Sequence, residues 1–299
     1  TRGLENSRFG FPVRQLFPAI RRLTQTGAFN QEDLLQAANA ATLEALSGHI
    51  EQQLSTAYVR GYRFGNYSEE DVQSLADLIA RVLPNRSGDT YTRAATYAPQ
   101  PGSTLVYQEN LPVEDLGMAY LFAAPKASIE NVAKGELLAA HLSNRAFNQL
   151  RTEEQLGYAA GGFATQLGDH PMVGFYIQTP VKAPIAMLER FDDYRAEFAS
   201  DLEALDQAEF DSIKAGVLTD LTQPPKNLGE EAGPFLIDWN RERYGFDTRT
   251  RLIAAVEQVT IDAVRDYYAE TVMTETASRV LVQLKGTAFA DEPFAEIEG

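Results

Sequence analysis

Two side chains in the stretch 141–163 could donate hydrogen bonds to a reacting carbonyl group. The stretch reads HLSNRAFNQLRTEEQLGYAAGGF and predicts a helix that leads directly into a strand, with Arg151 at the helix exit and Tyr158 seven positions later. A guanidinium and a phenol beside an open strand edge can polarise the carbonyl of a peptide that pairs with that edge, and can stabilise the oxyanion formed on attack. A structural role is equally open at this point: an arginine satisfies carbonyls at a helix C-terminus, and a tyrosine packs on a strand with its hydroxyl in water.

The residue types give little support to other catalytic chemistry. The three histidines, His49, His141 and His170, are too far apart in sequence to form a helical pair of metal ligands, and the chain has no cysteine. It also has no Gly-x-Ser-x-Gly nucleophile elbow and no glycine-rich phosphate loop. We therefore predict that this chain binds no metal and carries no nucleophile of its own.

Length and charge narrow the class of protein. The 299 residues carry a net charge of −16 and are 44% hydrophobic, which indicates a globular chain with a sizeable core. A chain with this negative charge is not expected to bind nucleic acid, because it cannot neutralise the phosphates. No apolar run in the sequence is long enough to span a membrane. The first residues, TRGLENSRFGF, include neither an initiator Met nor a signal peptide, so we expect a cut made inside a longer protein.

The order of the predicted elements favours an α+β fold. A few antiparallel strands followed by segregated helices predict a two-layer sandwich, an antiparallel-rich sheet with helices packed on one face. Residues 85–103 are rich in Pro, Gly, Ser and Thr and are predicted to link 1–84 to 104–299. Because 1–84 reads like the tail of a similar unit, we expect a duplicated domain whose first copy is incomplete.

Several element boundaries can be predicted from local signals. Asn30 is a predicted N-cap for one helix over 31–54, and Ser68 with Asp71 opens another helix. The aromatic and β-branched run at 56–66 predicts a strand.

Two further strands are predicted at 103–110 and 116–124, on either side of the turn around Pro112, and Ser128 is predicted to cap the helix that precedes the Arg–Tyr stretch.

The run AFNQLRTEEQLGY at 146–158 resembles the signature of the pitrilysin and insulin-degrading enzyme family, the inverted His-x-x-Glu-His zinc metallopeptidases. Between Phe147 and Tyr158 every residue except Gln149 and Glu153 matches the signature, which makes the signal specific. Further segments are similar to that family in the same order: FGNYSEEDV at 64–72, GFYIQTP at 174–180, PPKNLGEEA at 224–232 and RYGFDTRT at 243–250. The resemblance covers nearly the whole chain.

The resemblance implies a place for this chain in a larger enzyme. Family members have four homologous domains around a chamber, so that 1–84 would be the end of the third domain and 104–299 the fourth. Zinc would be bound by an N-terminal half outside this chain, and the substrate would be a peptide. Arg151 and Tyr158 would reach the scissile carbonyl, while Phe147 would form an apolar wall beside it. Alone, the chain would be inactive.

Alternatives and departures follow from the same comparison. The chain could instead be a non-catalytic partner of a separate zinc-bearing subunit, or a pseudo-enzyme that only binds peptides. Small residues after Tyr158 (AAGGF) and the acidic charge depart from better-known members, so their substrate preference is not carried over. Location follows from the resemblance alone: periplasmic for a bacterial protein, with cytoplasmic as the alternative.

Overall fold

The computed structural model describes residues 2–55, 57–83 and 92–297. The helices are α1 Arg2–Ser7, α2 Pro12–Thr24, α3 Gln31–Ala40, α4 Leu43–Ser55, α5 Glu69–Val82, α6 Ile129–Ala146, α7 Pro184–Ala204, α8 Gln207–Thr222, α9 Leu228–Asn240, α10 Thr248–Gln258 and α11 Ile261–Tyr268. The strands are β1 Thr104–Asn110, β2 Leu116–Ala123, β3 Ala159–Leu167, β4 His170–Thr179 and β5 Ser278–Lys285. A π-helical turn, Phe147–Glu153, continues α6, and a second, Ala269–Met273, continues α11.

The described strands form one sheet in the order β1-β5-β2-β4-β3. Only the pairing of β1 with β5 is parallel, and the other three pairings are antiparallel. Both strands predicted around Pro112 are present, but β5 lies between them, so they do not form a hairpin. At the opposite end of the sheet, β3 is an edge strand, and its outer edge is paired with no strand of the described chain.

Each face of the sheet has its own apolar core because side chains alternate along a strand. On β2, Met118, Tyr120 and Phe122 belong to the larger core, which α6, α7 and α11 complete. Ala119 and Leu121 point to the other face, where α2 covers them. The predicted α+β fold with an antiparallel-rich sheet is confirmed, with one addition: α2 packs on the face opposite α6, α7 and α11.

The chain divides into two compact units whose boundaries differ from the predicted ones. The sheet unit comprises 2–31, 95–223 and 249 onwards, and the second unit comprises 32–94 and 224–248. The N-terminal segment joins the sheet unit because the apolar side of α2 packs on the sheet. Residues 85–91 of the predicted linker lie outside the described residues. Assignment of the segments to two homologous domains stays a prediction.

Aromatic side chains hold the second unit together. Phe64 stacks on Phe235 with ring centroids 5.5 Å apart, and Tyr62 lies 6.0 Å from Trp239. The Arg60 guanidinium covers the Trp239 ring at 4.4 Å, a cation–π contact. None of the helices formed by the described residues is both long and apolar enough to cross a membrane.

Two local predictions in the second unit are wrong. Two predicted helix caps, one in each unit, are confirmed. The single helix predicted over 31–54 is broken into α3 and α4, because the Thr42 hydroxyl accepts the amide hydrogen of Ala45 and starts a new helix. The run 57–64 is extended but pairs with no described strand. The Ser68–Asp71 capping box and the Ser128 cap are present as predicted.

Candidate functional site

The motif around Arg151 begins with a change of helix type. After α6 the backbone enters the π-helical turn Phe147–Glu153, a conformation that is rare and often found at functional sites. Leu150 in this turn and Leu156 beyond it are buried in the larger core of the sheet unit. These apolar anchors fix the turn and leave its other residues at the surface.

A charged pair ties the end of the turn to α7. Arg190 donates from Nη2 and Nε to the two carboxylate oxygens of Glu154 at 2.6 and 2.8 Å, and it also contacts Glu197 at 2.9 Å. The hydrogen bonds from Arg190 hold the pKa of Glu154 below its ordinary value. Glu154 is therefore a structural member of the motif and is not available to act as a base.

Arg151 and Phe147 face solvent together. The guanidinium carbon of Arg151 lies 4.4 Å from the centre of the Phe147 ring, and this ring is 40% exposed. One helical turn separates the two residues, which allows the stacking. Within the described chain the Arg151 guanidinium makes no hydrogen bond and no ion pair. Its donors are free to bind a ligand.

A close approach of the chain to strand β4 fixes the position of Tyr158. Gln155 adopts a left-handed backbone conformation with φ of 53°, and this reverses the chain direction after the π-helical turn. At Gly157 the chain passes so close to β4 that a Cβ atom would overlap the carbonyl oxygen of Gln178. At the same close approach, the Thr179 hydroxyl donates a hydrogen bond to the Leu156 carbonyl oxygen. Glycine is required here by the close approach and not by its backbone angles.

The Tyr158 hydroxyl lies in a small polar network although its ring is 53% exposed. It donates a hydrogen bond to Oδ2 of Asp115, and Gln178 Nε2 donates to the Tyr158 oxygen at 3.1 Å and to Asp115 Oδ2 at 2.7 Å. Gln178 is buried, and its Oε1 accepts the Val13 amide hydrogen at 3.2 Å. The hydrogen bond to Asp115, followed by partial burial, raises the pKa of Tyr158. The phenol thus remains a proton donor at neutral pH.

Of the three predicted site residues, Arg151 contacts Phe147 but forms no polar contact with Tyr158. No hydrogen bond or ion pair joins Arg151 to Tyr158 among the described residues: Arg151 lies in the π-helical turn, and Tyr158 immediately precedes the edge strand β3. Arg151 is always charged and Tyr158 is protonated, so both are donors. The arrangement suits an extended ligand on the β3 edge whose carbonyl accepts these hydrogen bonds.

Two members of the site were not predicted from the sequence. Asp115 lies in a loop of mixed acidic residues, and nothing in its spacing to Tyr158 indicates a contact. Gln178 gives a weak signal, because an amide side chain in the apolar strand GFYIQTP has to find hydrogen-bond partners. The strand pairing makes the contact, since β4 runs antiparallel to both β2 and β3 and carries Gln178 to their ends.

The small residues after Tyr158 have a packing explanation. Gly162 lies under α6, and a Cβ atom there would overlap the Leu142 side chain. At Gly161 a Cβ would approach the Tyr176 ring to 3.1 Å. The unusual sequence AAGGF thus lets α6 lie close on β3, next to the π-helical turn.

No cluster of metal ligands exists in the part of the chain that the structure describes: no three His, Asp or Glu side chains converge on a point that could hold an ion. His141 Nε2 donates to Asp201 Oδ2 (3.1 Å), and His170 Nε2 contacts the Ala124 carbonyl oxygen (2.5 Å). These side chains do not fit a catalytic zinc ion.

Comparison with known proteins identifies relatives of the chain. Residues 137–236 match a family profile described as the PQQ synthase PqqF-like C-terminal lobe domain 4. The chain is 25% identical to Protease 3 of Escherichia coli K12 over 298 residues, covering 99% of this chain and 31% of that protein. It is 21% identical to human insulin-degrading enzyme over 285 residues, covering 93% of this chain and 28% of the enzyme.

Solved structures show the same fold. The crystal structure of pitrilysin superposes with a TM-score of 0.89 at 24% identity, covering 100% of this chain and 32% of that one. The peptidase M16 inactive domain from Pseudomonas fluorescens superposes with a TM-score of 0.63 at 14% identity, covering 99% and 69%. The chain spans about 30% of the length of the curated relatives it matches. It is homologous to the C-terminal part of the pitrilysin and insulin-degrading enzyme family.

Proposed function

We propose that this chain is the C-terminal part, without the metal site, of a zinc-dependent endopeptidase that hydrolyses peptides in an enclosed chamber. Its role is to bind the peptide and to donate hydrogen bonds to the scissile carbonyl from Arg151 and Tyr158. Support comes from homology to proteins named Protease 3 and insulin-degrading enzyme. In this proposal the chain is inactive by itself, because the zinc ion is bound by the N-terminal part of the protein.

One observation carries the proposal. Within the matched motif, Leu150, Leu156 and Glu154 are buried or paired, whereas the guanidinium of Arg151 is exposed and has no polar partner in the described chain. A purely structural arginine at a helix C-terminus would donate to the last carbonyls of that helix. A free donor on a rigidly anchored turn instead suits recognition of an external acceptor.

The chemistry of this chain follows from its donors. A peptide adds to the free edge of β3, which aligns its backbone carbonyls with the start of that strand. Arg151 and Tyr158 then donate to the carbonyl oxygen and bind it more strongly as it acquires negative charge. Phe147 covers an apolar side chain of the peptide next to the reacting bond. Activation of the attacking water belongs to zinc and to residues outside this chain.

Two properties of the complete protein are part of this proposal. The partner of this chain is the zinc-bearing N-terminal part of the same protein, and the substrate is a peptide short enough to be enclosed. If the protein is bacterial, we propose a periplasmic location, with cytoplasmic as the alternative.

A second candidate function is that of a partner subunit or peptide-binding pseudo-enzyme. The solved structure titled peptidase M16 inactive domain shares the fold over nearly the whole of this chain, which shows that the fold also occurs in domains described as inactive. In that case a separate chain holds the zinc, or no chain does.

The test is cleavage of a quenched fluorescent peptide. This chain is assayed alone and together with the N-terminal part of its protein, each with added zinc and with chelator. The proposal requires cleavage only by the combined parts and only with zinc. Cleavage by this chain alone in the presence of chelator would overturn it, and binding without cleavage by the combined parts would favour the second candidate.

A further inference from the structure

A cleft of about 290 Å³ opens beside Tyr158 on the sheet unit. Its lining residues are Phe9, Phe11, Pro12, Val113, Glu114, Asp115, Tyr158 and Gln178. The volume suits one side chain of a bound peptide and is too small for a folded partner. Because Tyr158 forms part of the wall, any occupant lies next to the proposed carbonyl donor.

Two aromatic rings are among the residues that line the cleft. Phe9 and Phe11 are 65% and 57% exposed, a cost in free energy that a ligand covering them would offset. The ring of Phe11 already has a guanidinium near its face, that of Arg14, with its carbon 5.7 Å from the ring centre. Both rings thus offer apolar contact, and the ring of Phe9, which has no cation near its face among the described residues, offers a cation–π surface.

Two carboxylates also line the cleft. Glu114 is exposed, and its carboxylate has no hydrogen-bond or ion-pair partner among the described residues. Asp115 accepts from Tyr158 and Gln178, both uncharged donors, so its negative charge is not neutralised by any described cation. A cleft that is lined by aromatic rings and by two uncompensated carboxylates complements a cation on an aliphatic stem.

We propose that this cleft is a subsite for an arginine or lysine side chain of the bound peptide, with Asp115 as the residue that determines this specificity. The inference rests on the proposed function and adds a substrate class to it. On binding, Asp115 exchanges its hydrogen bond from Tyr158 for an ion pair with the peptide. Gln178 is the positioning residue that keeps the Tyr158 oxygen in place during this exchange. The freed Tyr158 hydroxyl then donates to the scissile carbonyl.

Two peptides test the subsite on this chain. They are identical except that one carries arginine and the other citrulline, which has nearly the same shape and no charge. We expect the arginine peptide to bind about tenfold more tightly at low salt, from cation–π and ion-pair contributions together. Asp115→Asn and Glu114→Gln should each reduce this ratio, whereas Glu51→Gln, which removes a charge on α4, should keep it. Equal affinity of the two peptides for the unmodified chain would overturn the proposal.

A spectroscopic measurement tests the exchange at Tyr158. The chain is labelled with ¹³C at tyrosine Cζ, and the Tyr158 resonance is assigned by its loss in Tyr158→Phe. Asp115→Asn supplies the reference position for a hydroxyl without the carboxylate acceptor. The arginine peptide should move the wild-type resonance towards that reference, and the citrulline peptide should move it less. A resonance that the arginine peptide leaves in place contradicts the exchange.

Cleavage by the complete protein separates this proposal from the proposed function. Both peptides are offered to the zinc-loaded protein. Cleavage of both with the same kcat/KM rejects the subsite and leaves the endopeptidase function standing. Cleavage of neither rejects the endopeptidase function, while the binding ratio measured on this chain still decides the subsite.

Discussion

Gln178 Nε2 lies 3.1 Å from the Tyr158 hydroxyl oxygen, and the Gln178 amide is among the few polar groups that are fully buried in the sheet unit. The two ends of the amide join the site to the fold. Its oxygen accepts the backbone amide hydrogen of Val13 in the first turn of α2, and its nitrogen donates to Tyr158 and Asp115. The exposed phenol is thus connected to the interior by one side chain.

Replacement of this side chain should be costly for stability. Gln178→Leu leaves the Val13 amide and one oxygen of the polar network without a partner, so the free energy of unfolding should fall by about 2 kcal/mol. Urea denaturation followed by circular dichroism measures the change, since the only Trp, Trp239, lies in the other unit. The control is Gln73→Leu, which loses an exposed hydrogen bond to Asp77 and should change stability by less than about 0.5 kcal/mol. Equal losses in the two variants would contradict the role of Gln178.

Two glycine substitutions should have opposite effects. Gly157→Ala puts a Cβ against the Gln178 carbonyl, which is backbone and cannot move aside, so we expect a loss of about 3 kcal/mol in unfolding free energy. Gly216→Ala, inside α8 with open space around it, should gain about 0.5–1 kcal/mol from helix propensity. If Gly157→Ala leaves the free energy of unfolding unchanged, the chain at residue 157 does not lie against the Gln178 carbonyl group.

The ion pair between Glu154 and Arg190 should contribute to the pH dependence of stability. Since Arg190 lowers the pKa of Glu154 in the folded chain, the contribution is present above the pKa of unfolded glutamate and is lost as the pH falls through the lower folded value. Glu154→Gln should therefore cost about 1 kcal/mol at neutral pH, and less in acid. Unfolding measured from neutral to acid pH, with Glu203→Gln as an exposed control, tests this; parallel curves for wild type and Glu154→Gln would contradict it.

Phe147 should affect peptide binding more than folding. Its ring is 40% exposed, so Phe147→Ala should cost little stability, but it removes the proposed apolar wall. We measure KM in the complete protein for a peptide with a large apolar side chain next to the reacting bond. We expect KM to rise severalfold, because the lost contact corresponds to about 1 kcal/mol of binding free energy. Phe29→Ala, at a ring that is 62% exposed and lies outside the motif, is the control. An unchanged KM for Phe147→Ala would assign the ring a packing role.

The sequence predicts the fold well where local signals and tertiary packing agree. Ser68 and Ser128 begin helices as expected, and strands β1 and β2 lie where the runs at 103–110 and 116–124 predict them. The order of strands could not be predicted, because β5 enters between β1 and β2 from far along the chain. Thr42 shows how one hydroxyl divides a helix that periodicity alone makes continuous.

The candidate site was predictable only in part, for a similar reason. Arg151, Tyr158 and Phe147 lie within one short motif, so the sequence gives them together. Asp115 and Gln178 reach Tyr158 through pairing of three strands, and no local spacing reports such contacts. The structure also shows that Tyr158 has an intramolecular acceptor, which a ligand has to replace.

The most direct test of the central claim is kinetic. Arg151→Ala and Tyr158→Phe are introduced into the complete zinc-loaded protein, with Arg81→Ala and Tyr97→Phe as controls at exposed positions remote in sequence from the motif. We predict that each site variant lowers kcat/KM by about a hundredfold, the usual effect of losing one donor to a developing oxyanion, while the controls remain within about twofold of wild type. Folding of all variants is checked by circular dichroism. If properly folded Arg151→Ala and Tyr158→Phe cleave peptides at the wild-type rate, the two residues are structural and the proposed role of this chain in catalysis is wrong.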